Sequence, residues 1–269
     1  MERHEADGVS YVTEGPADGP VILFVHGGLH GSWCWADVQG WFADRGWRTA
    51  ALDWFQHGDS DRLPEAEFVR RSLTDVSTEI TTVLDALDAD RPVLVGHSMG
   101  GLAVLHHAAR SASRPPAALA LLTPVVPQQF GAAPVELPVD LSAPWGPPPP
   151  EVARQLFYSA VDDRTAQAHY ERLVPESPQA VWDATRWTVP VDVSAIGAPA
   201  YVVAAEHDRL VPPEYVRALA TGMDGEFRFL PGQGHGVTLD PVWRDVATGV
   251  ETWLRATLPS LVPASSPVA

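Results

Sequence analysis

The chain has 269 residues, 45% hydrophobic and 19% charged, which suits one large globular domain, or a domain with an insertion, and leaves enough residues to bury a substantial core. Its net charge of −16 repels nucleic acid and anionic membrane surfaces; no apolar run approaches the ~18 residues of a membrane helix, and Met1-Glu2-Arg3-His4-Glu5 does not open a secretion signal, so a cytoplasmic location is expected. All 18 basic residues are arginine, which removes lysine Schiff-base chemistry and P-loop nucleotide binding, and the single Cys34 removes internal disulfides and thiolate metal clusters.

Residues 1–20 read as a leading segment with a short strand at 9–12 and a turn at 15–20. Residues 21–25 (VILFV) are a continuous apolar run, as in a central strand covered on both faces. The run ends in His26-Gly27-Gly28-Leu29-His30-Gly31. A helix is expected over 35–42, stopping at Arg45-Gly46, then a strand over 47–52 that ends at Asp53. Leu73, Val76, Ile80, Val83, Leu84 and Leu87 recur at helical spacing and define one apolar face. Residues 92–95 are a strand, 102–110 a helix, and 119–122 another buried strand. This alternation predicts an α/β fold with a mostly parallel central sheet and helices on both faces.

The alternation breaks between 124 and 193. Pro147 to Pro150 close a stretch without periodicity, and helices are expected over 151–159, 163–174 and 177–187, the last with Ser177 and Pro178 as N-cap and first residue. The segment reads as a helical cap insertion, so 1–123 and 194–258 form the core. Most of Phe130, Trp145, Leu156, Phe157, Tyr158, Trp182 and Trp187 are expected to form the insertion's own small core. The core pattern resumes with strands at 200–204 and 226–230 and helices at 213–220 and 242–258. Residues 259–269, rich in Pro, Ser and Ala, are expected to be a disordered tail.

Chemistry concentrates at Gly96-His97-Ser98-Met99-Gly100-Gly101, between the strand at 92–95 and the helix that follows. A serine hydroxyl is a weak nucleophile unless it is exposed, aimed and next to a base, and a sharp strand-to-helix turn does the aiming. The turn also sets the Met99 N–H at a helix N-terminus, where it can receive a developing oxyanion. Asp208 follows the strand at 200–204, and His235 follows the last strand inside Gly232-Gln233-Gly234-His235-Gly236. Both lie at carboxyl ends of strands, the reactive edge of an open sheet. The order Ser98, Asp208, His235 is that of a nucleophile, acid and base on a Gly-x-Ser-x-Gly turn. The Gly28 N–H is assigned as the second oxyanion donor. The pocket is expected to use Leu29, His97, Trp145, Phe157, Trp182 and Trp187.

Over nearly its whole length the sequence resembles the α/β-hydrolase superfamily. The matching pieces are His26-Gly27-Gly28, Asp53 with His57-Gly58-Asp59-Ser60, the Ser98 turn, Asp208 to Pro212, and Gly234-His235. Residues 26–35 (HGGLHGSWCW) look most like small esterases of the methylesterase and hydroxynitrile lyase group. The resemblance implies a carboxylesterase-like serine hydrolase that cleaves an ester, thioester or lactone with an apolar group through an acyl-enzyme. It implies no cofactor and no metal, a small-molecule acyl substrate as partner, no nucleic acid or membrane, and a monomer or homodimer. Gly27 stands where the lyases carry threonine and Gly236 where they carry lysine, which argues against cyanohydrin cleavage. Ser98 argues against the epoxide hydrolases and dehalogenases, whose nucleophile is aspartate.

Thioesterase, cyclase or acyltransferase chemistry on the same triad is the alternative, and a non-catalytic binding member of the fold is a third reading. A dinucleotide fingerprint fails because His26 stands where its first glycine belongs. His26 and His30 lie on a glycine loop, and His106 and His107 point to different helix faces, so neither pair reads as a metal site.

Overall fold

The computed structural model describes residues 1–263. Eight strands, β1 (Glu2–Ala6), β2 (Val9–Glu14), β3 (Val21–Val25), β4 (Arg48–Leu52), β5 (Val93–His97), β6 (Ala118–Leu122), β7 (Ala200–Ala205) and β8 (Glu226–Leu230), form one sheet. Their order is β1-β2-β4-β3-β5-β6-β7-β8. From β4 to β8 the pairings are parallel, and β1 and β2 add an antiparallel edge.

Period-2 alternation within the central strands divides the core between the two faces. Leu23, Val25 and Leu94 face one cluster, and Ile22, Phe24, Val93 and Val95 face the other. Helices α1 (Ala36–Ala43) and α9 (Trp243–Thr257) cover the second face, α9 through Val246, Val250, Trp253 and Leu254. Helices α3 (Val76–Ala86), α4 (Met99–Arg110) and α8 (Pro213–Gly222) cover the first; a four-residue turn, α2 (Glu65–Phe68), precedes α3. The six apolar residues at helical spacing from Leu73 to Leu87 are all buried. Each such side chain stabilises the fold by ~1.5–3 kcal/mol.

Between β6 and β7 lie α5 (Pro150–Phe157), α6 (Asp163–Tyr170) and α7 (Pro178–Arg186). The Ser177 hydroxyl caps α7 by accepting the Ala180 N–H. The same hydroxyl donates to the Arg71 C=O at 2.6 Å, and Ser72 Oγ donates to Asp183 at 2.6 Å, which fastens α7 to the start of the α3 region.

Two expectations are corrected. The leading segment begins with a strand, β1, joined to β2 by a two-residue turn in which Asp7 (φ 46) and Gly8 (φ 78) both have positive φ. Such turns match the right-handed twist of a hairpin. The tail expected from 259 does not begin there: Leu261 and Val262 pack against the core, and the Leu261 N–H donates to Leu258 C=O at 2.9 Å. Residues 264–269 lie outside the described residues. No helix among the described residues is long and apolar enough to cross a membrane.

Candidate active site

β5 stops at His97 and α4 starts at Met99, which leaves Ser98 alone at the apex with φ 54 and ψ −122. A non-glycine residue holds that conformation only where its surroundings over-determine it. The Ser98 N–H donates to Leu122 C=O at 3.1 Å, and its carbonyl accepts the Val125 N–H at 2.9 Å and the Gly101 N–H at 2.9 Å. The backbone is pinned on both sides, and the side chain projects at the carboxyl edge of the sheet.

His235 and Asp208 meet Ser98 from the ends of β8 and β7. His235 Nε2 lies 2.8 Å from Ser98 Oγ, and His235 Nδ1 lies 2.8 Å from Asp208 Oδ2. The other Asp208 oxygen accepts the Leu210 and Val211 N–H groups at 2.8 and 2.9 Å. A carboxylate only accepts, so His235 carries its proton on Nδ1 and turns the Nε2 lone pair toward the serine. Both side chains of the acid–base pair are about 1% exposed.

The His235 loop is held from beneath. His97 Nε2 donates to the His235 C=O at 3.0 Å, and Thr123 Oγ1 donates to the same oxygen at 3.1 Å. Burial, and the neighbouring His235, keep His97 well below the ordinary histidine range and therefore neutral. His97 is thus a backbone support and not a pocket residue, which corrects that expectation. Thr123 was not found from sequence, where nothing local distinguishes it from a strand-end residue.

The loop after β3 brings Gly28 against the same serine turn; a Cβ at Gly28 would collide with Met99 Sδ. His26 Nδ1 donates to Gly27 C=O at 2.7 Å. The two ends of a trans peptide point in opposite directions, so this bond turns the Gly28 N–H away from His26. Burial, above all, holds His26 neutral, far below its ordinary range. Asp53 secures the loop's far side by accepting the Ser32 N–H at 2.5 Å and the Ser32 hydroxyl at 3.1 Å.

An apolar pocket is lined by Ser98, Gly28 and Met99 together with residues of the 124–193 segment. Of the pocket residues expected from sequence, Leu29, Trp145 and Phe157 line it, whereas Trp182 and Trp187 do not. Trp182 lies under the Arg186 guanidinium at 5.0 Å, and Trp187 is buried with Nε1 donating to Ala133 C=O at 2.9 Å. On α7 the residues facing the cavity are Val181, Ala184 and Thr185, one helical stripe that leaves Trp182 to the side. Leu137, Leu156 and Glu176 complete much of the wall.

Asp240, behind the His235 loop, donates its N–H to Gly236 C=O at 2.9 Å. Its Oδ2 has no hydrogen-bond partner among the described residues. Burial pushes the carboxyl up to about 6, opposed by the Ala160 N–H and by His235. The unfolded value is ~3.9. The stability linked to this group is therefore complete below that value and is lost as the pH rises through about 6. Asp240→Asn is expected to raise the thermal midpoint relative to the parent at pH 7–8 and to give no gain at pH 4. Melting curves across that range check it, and a pH-independent difference would overturn it.

A sheet of this order, with serine, histidine and aspartate converging at its carboxyl edge, is the architecture of an α/β-hydrolase. The chain belongs to the alpha/beta hydrolase family, whose model matches residues 22–246. Among its relatives, RutD of Variovorax paradoxus, a protein to which carbamate hydrolysis is provisionally assigned, is 29% identical over 241 residues, 84% of this chain and 88% of that one. Methylesterase 3 of Arabidopsis thaliana is 34% identical over 90 residues, 31% of each chain. An esterase of Thermogutta terrifontis has the same fold, with a TM-score of 0.71 at 19% identity over 96% of this chain and 99% of that one.

Proposed function

We propose that the chain is a serine hydrolase that cleaves a carboxylic ester, thioester or lactone carrying an apolar group, through an acyl-enzyme. One observation carries this reading: the relay from Ser98 Oγ to His235 Nε2 and from His235 Nδ1 to Asp208, 2.8 Å at each link, at the floor of an apolar cavity. Ser98 Oγ attacks the acyl carbon as its proton passes to His235 Nε2. The Gly28 and Met99 N–H groups receive the negative oxygen, and Asp208 stabilises the imidazolium. The tetrahedral species collapses as His235 gives its proton to the leaving oxygen or sulfur. A water then yields a proton to Nε2 and attacks the acyl carbon. Ser98 leaves with that proton and the acid is released. Carbamate and methyl-ester cleavage, named for two relatives, are both acyl transfers to water that this sequence of steps accommodates.

Intact mass after fluorophosphonate treatment tests the nucleophile, together with turnover of p-nitrophenyl esters of increasing chain length. A single adduct that is lost in Ser98→Ala, with turnover peaking at one chain length, is expected. No adduct and no turnover by the parent would overturn the proposal in favour of a binding protein.

A further inference from the structure

The Gly28-Leu29-His30 stretch is gripped by the 124–193 segment at three points. Glu176 Oε2 accepts the Leu29 N–H at 3.2 Å. The Val174 N–H donates to Leu29 C=O at 3.0 Å. The Tyr158 hydroxyl lies 3.0 Å from His30 Nε2, and His30 Nδ1 lies 2.8 Å from Gly28 C=O. A carbonyl only accepts, so His30 carries its proton on Nδ1, Nε2 is the acceptor, and the Tyr158 O–H donates to it. Burial pushes His30 down to about 4 and the Tyr158 phenol up, which keeps both in the forms this chain of bonds requires.

Leu29 has φ 67, a left-handed conformation that a leucine seldom adopts without external restraint. The restraining side chain is itself fixed. Trp145 and Glu176 exchange backbone hydrogen bonds at 2.9 Å, and Glu176 Oε1 accepts the Ser177 N–H at 2.8 Å. Glu176 Oε2 also lies 3.1 Å from His57 Nε2. Burial works to raise this carboxyl, yet His57 and the two N–H donors outweigh it and hold it below the ordinary carboxylate range. An ionised carboxylate on the wall of an apolar cavity has a desolvation cost that general packing does not require.

We propose that Glu176 and Tyr158 are positioning residues that hold the oxyanion loop, so that the Gly28 N–H is aimed by the 124–193 segment as well as by the core. The inference rests on Gly28 serving as an oxyanion donor. Each residue acts one step away from the reacting oxygen, Glu176 through the Leu29 N–H and Tyr158 through His30. Loss of either frees one end of the Gly28–Leu29 peptide without removing a donor. Deleting an oxyanion donor outright costs ~10²–10³ in kcat, so misaiming one is expected to cost ~10–100-fold.

The test uses Glu176→Gln and Tyr158→Phe, which conserve shape. Alongside kcat and KM for a p-nitrophenyl ester, it reads the affinity of a trifluoromethyl ketone, whose serine adduct carries an oxyanion, and that of the matching methyl ketone. In each variant kcat should fall ~10–100-fold with KM within about 3-fold, on the scale set by a lost donor. Trifluoromethyl ketone affinity should fall in proportion to kcat/KM while methyl ketone affinity stays unchanged. An active parent whose variants keep kcat within about 2-fold, or lose affinity for both ketones alike, overturns this inference and leaves the hydrolase reading intact. An inactive parent overturns both.

Discussion

Asp208→Asn is expected to lower kcat about 10⁴-fold on any ester the enzyme turns over, the cost of a wrong histidine tautomer in a triad. The site geometry gives the reason. Asp208 Oδ1 accepts two backbone N–H groups, from Leu210 and Val211, so the amide of the variant keeps its carbonyl oxygen there. Its NH₂ group then faces His235 Nδ1, where the carboxylate Oδ2 now accepts at 2.8 Å. Two donors cannot share that contact. His235 moves its proton to Nε2 and presents an N–H to Ser98 Oγ, and it can no longer take the serine's proton. The loop bonds are preserved, so the thermal midpoint should move little. Glu206, two residues upstream, is the control: it is exposed and accepts the Gly232 N–H at 2.7 Å, and Glu206→Gln should keep kcat within a few-fold. Steady-state kcat for the two variants decides the matter. A fall of less than ten-fold in Asp208→Asn, or a larger one in Glu206→Gln, would overturn the role given to Asp208.

What could be read from the sequence had a local physical cause. Strands β3, β6, β7 and the first three residues of β5 are unbroken apolar runs because helices cover both faces of the sheet, and the α3 stripe repeats because one face meets the core. Strand β1 has neither signal. Glu2 to Ala6 is polar and mostly exposed at the sheet edge, and only the Asp7-Gly8 hairpin pair marked it. Ser98, Asp208 and His235 could be picked out as candidates because each follows a strand and is punctuated by glycine or by the Asp208-to-Pro212 run.

The pocket was legible only in part. Aromatic side chains drew attention as lining residues, whereas Trp187 ends α7 in a left-handed conformation (φ 53) and turns into the segment's own packing. The aliphatic stripe of α7 lines the cavity instead. Glu176 and Tyr158 had no local signal at all, since their contacts with the loop after β3 span 147 and 128 residues. Pairing at that distance is a property of the folded chain, and residue spacing does not encode it.

Gly100→Ala is expected to be the most damaging small substitution at the serine turn. Gly100 sits one residue into α4, where alanine is intrinsically favoured over glycine by up to ~1 kcal/mol. Packing opposes this. A Cβ at Gly100 would run into the carbonyl oxygens of His26 and Val25, and its third neighbour is the Val25 carbonyl carbon at 2.8 Å. These are backbone atoms at the end of β3, a central strand paired on both sides, so no side chain can swing away. Overpacking of this kind costs ~1–3 kcal/mol and occasionally more, and the upper end applies because the obstacle is rigid. A net loss of ~2–3 kcal/mol corresponds to a fall of ~4–12 °C in thermal midpoint for a domain of this size. The only relief is for α4 to retreat from β3, which carries the Met99 N–H and Ser98 away from Gly28. A displacement near 1 Å is enough to lower kcat ~10²-fold. Gly146→Ala is the matched control: its Cβ would meet nothing within 4 Å, and neither stability nor turnover should change. If Gly100→Ala melts with the parent and keeps its kcat, the close approach of α4 to β3 is not what fixes the serine turn.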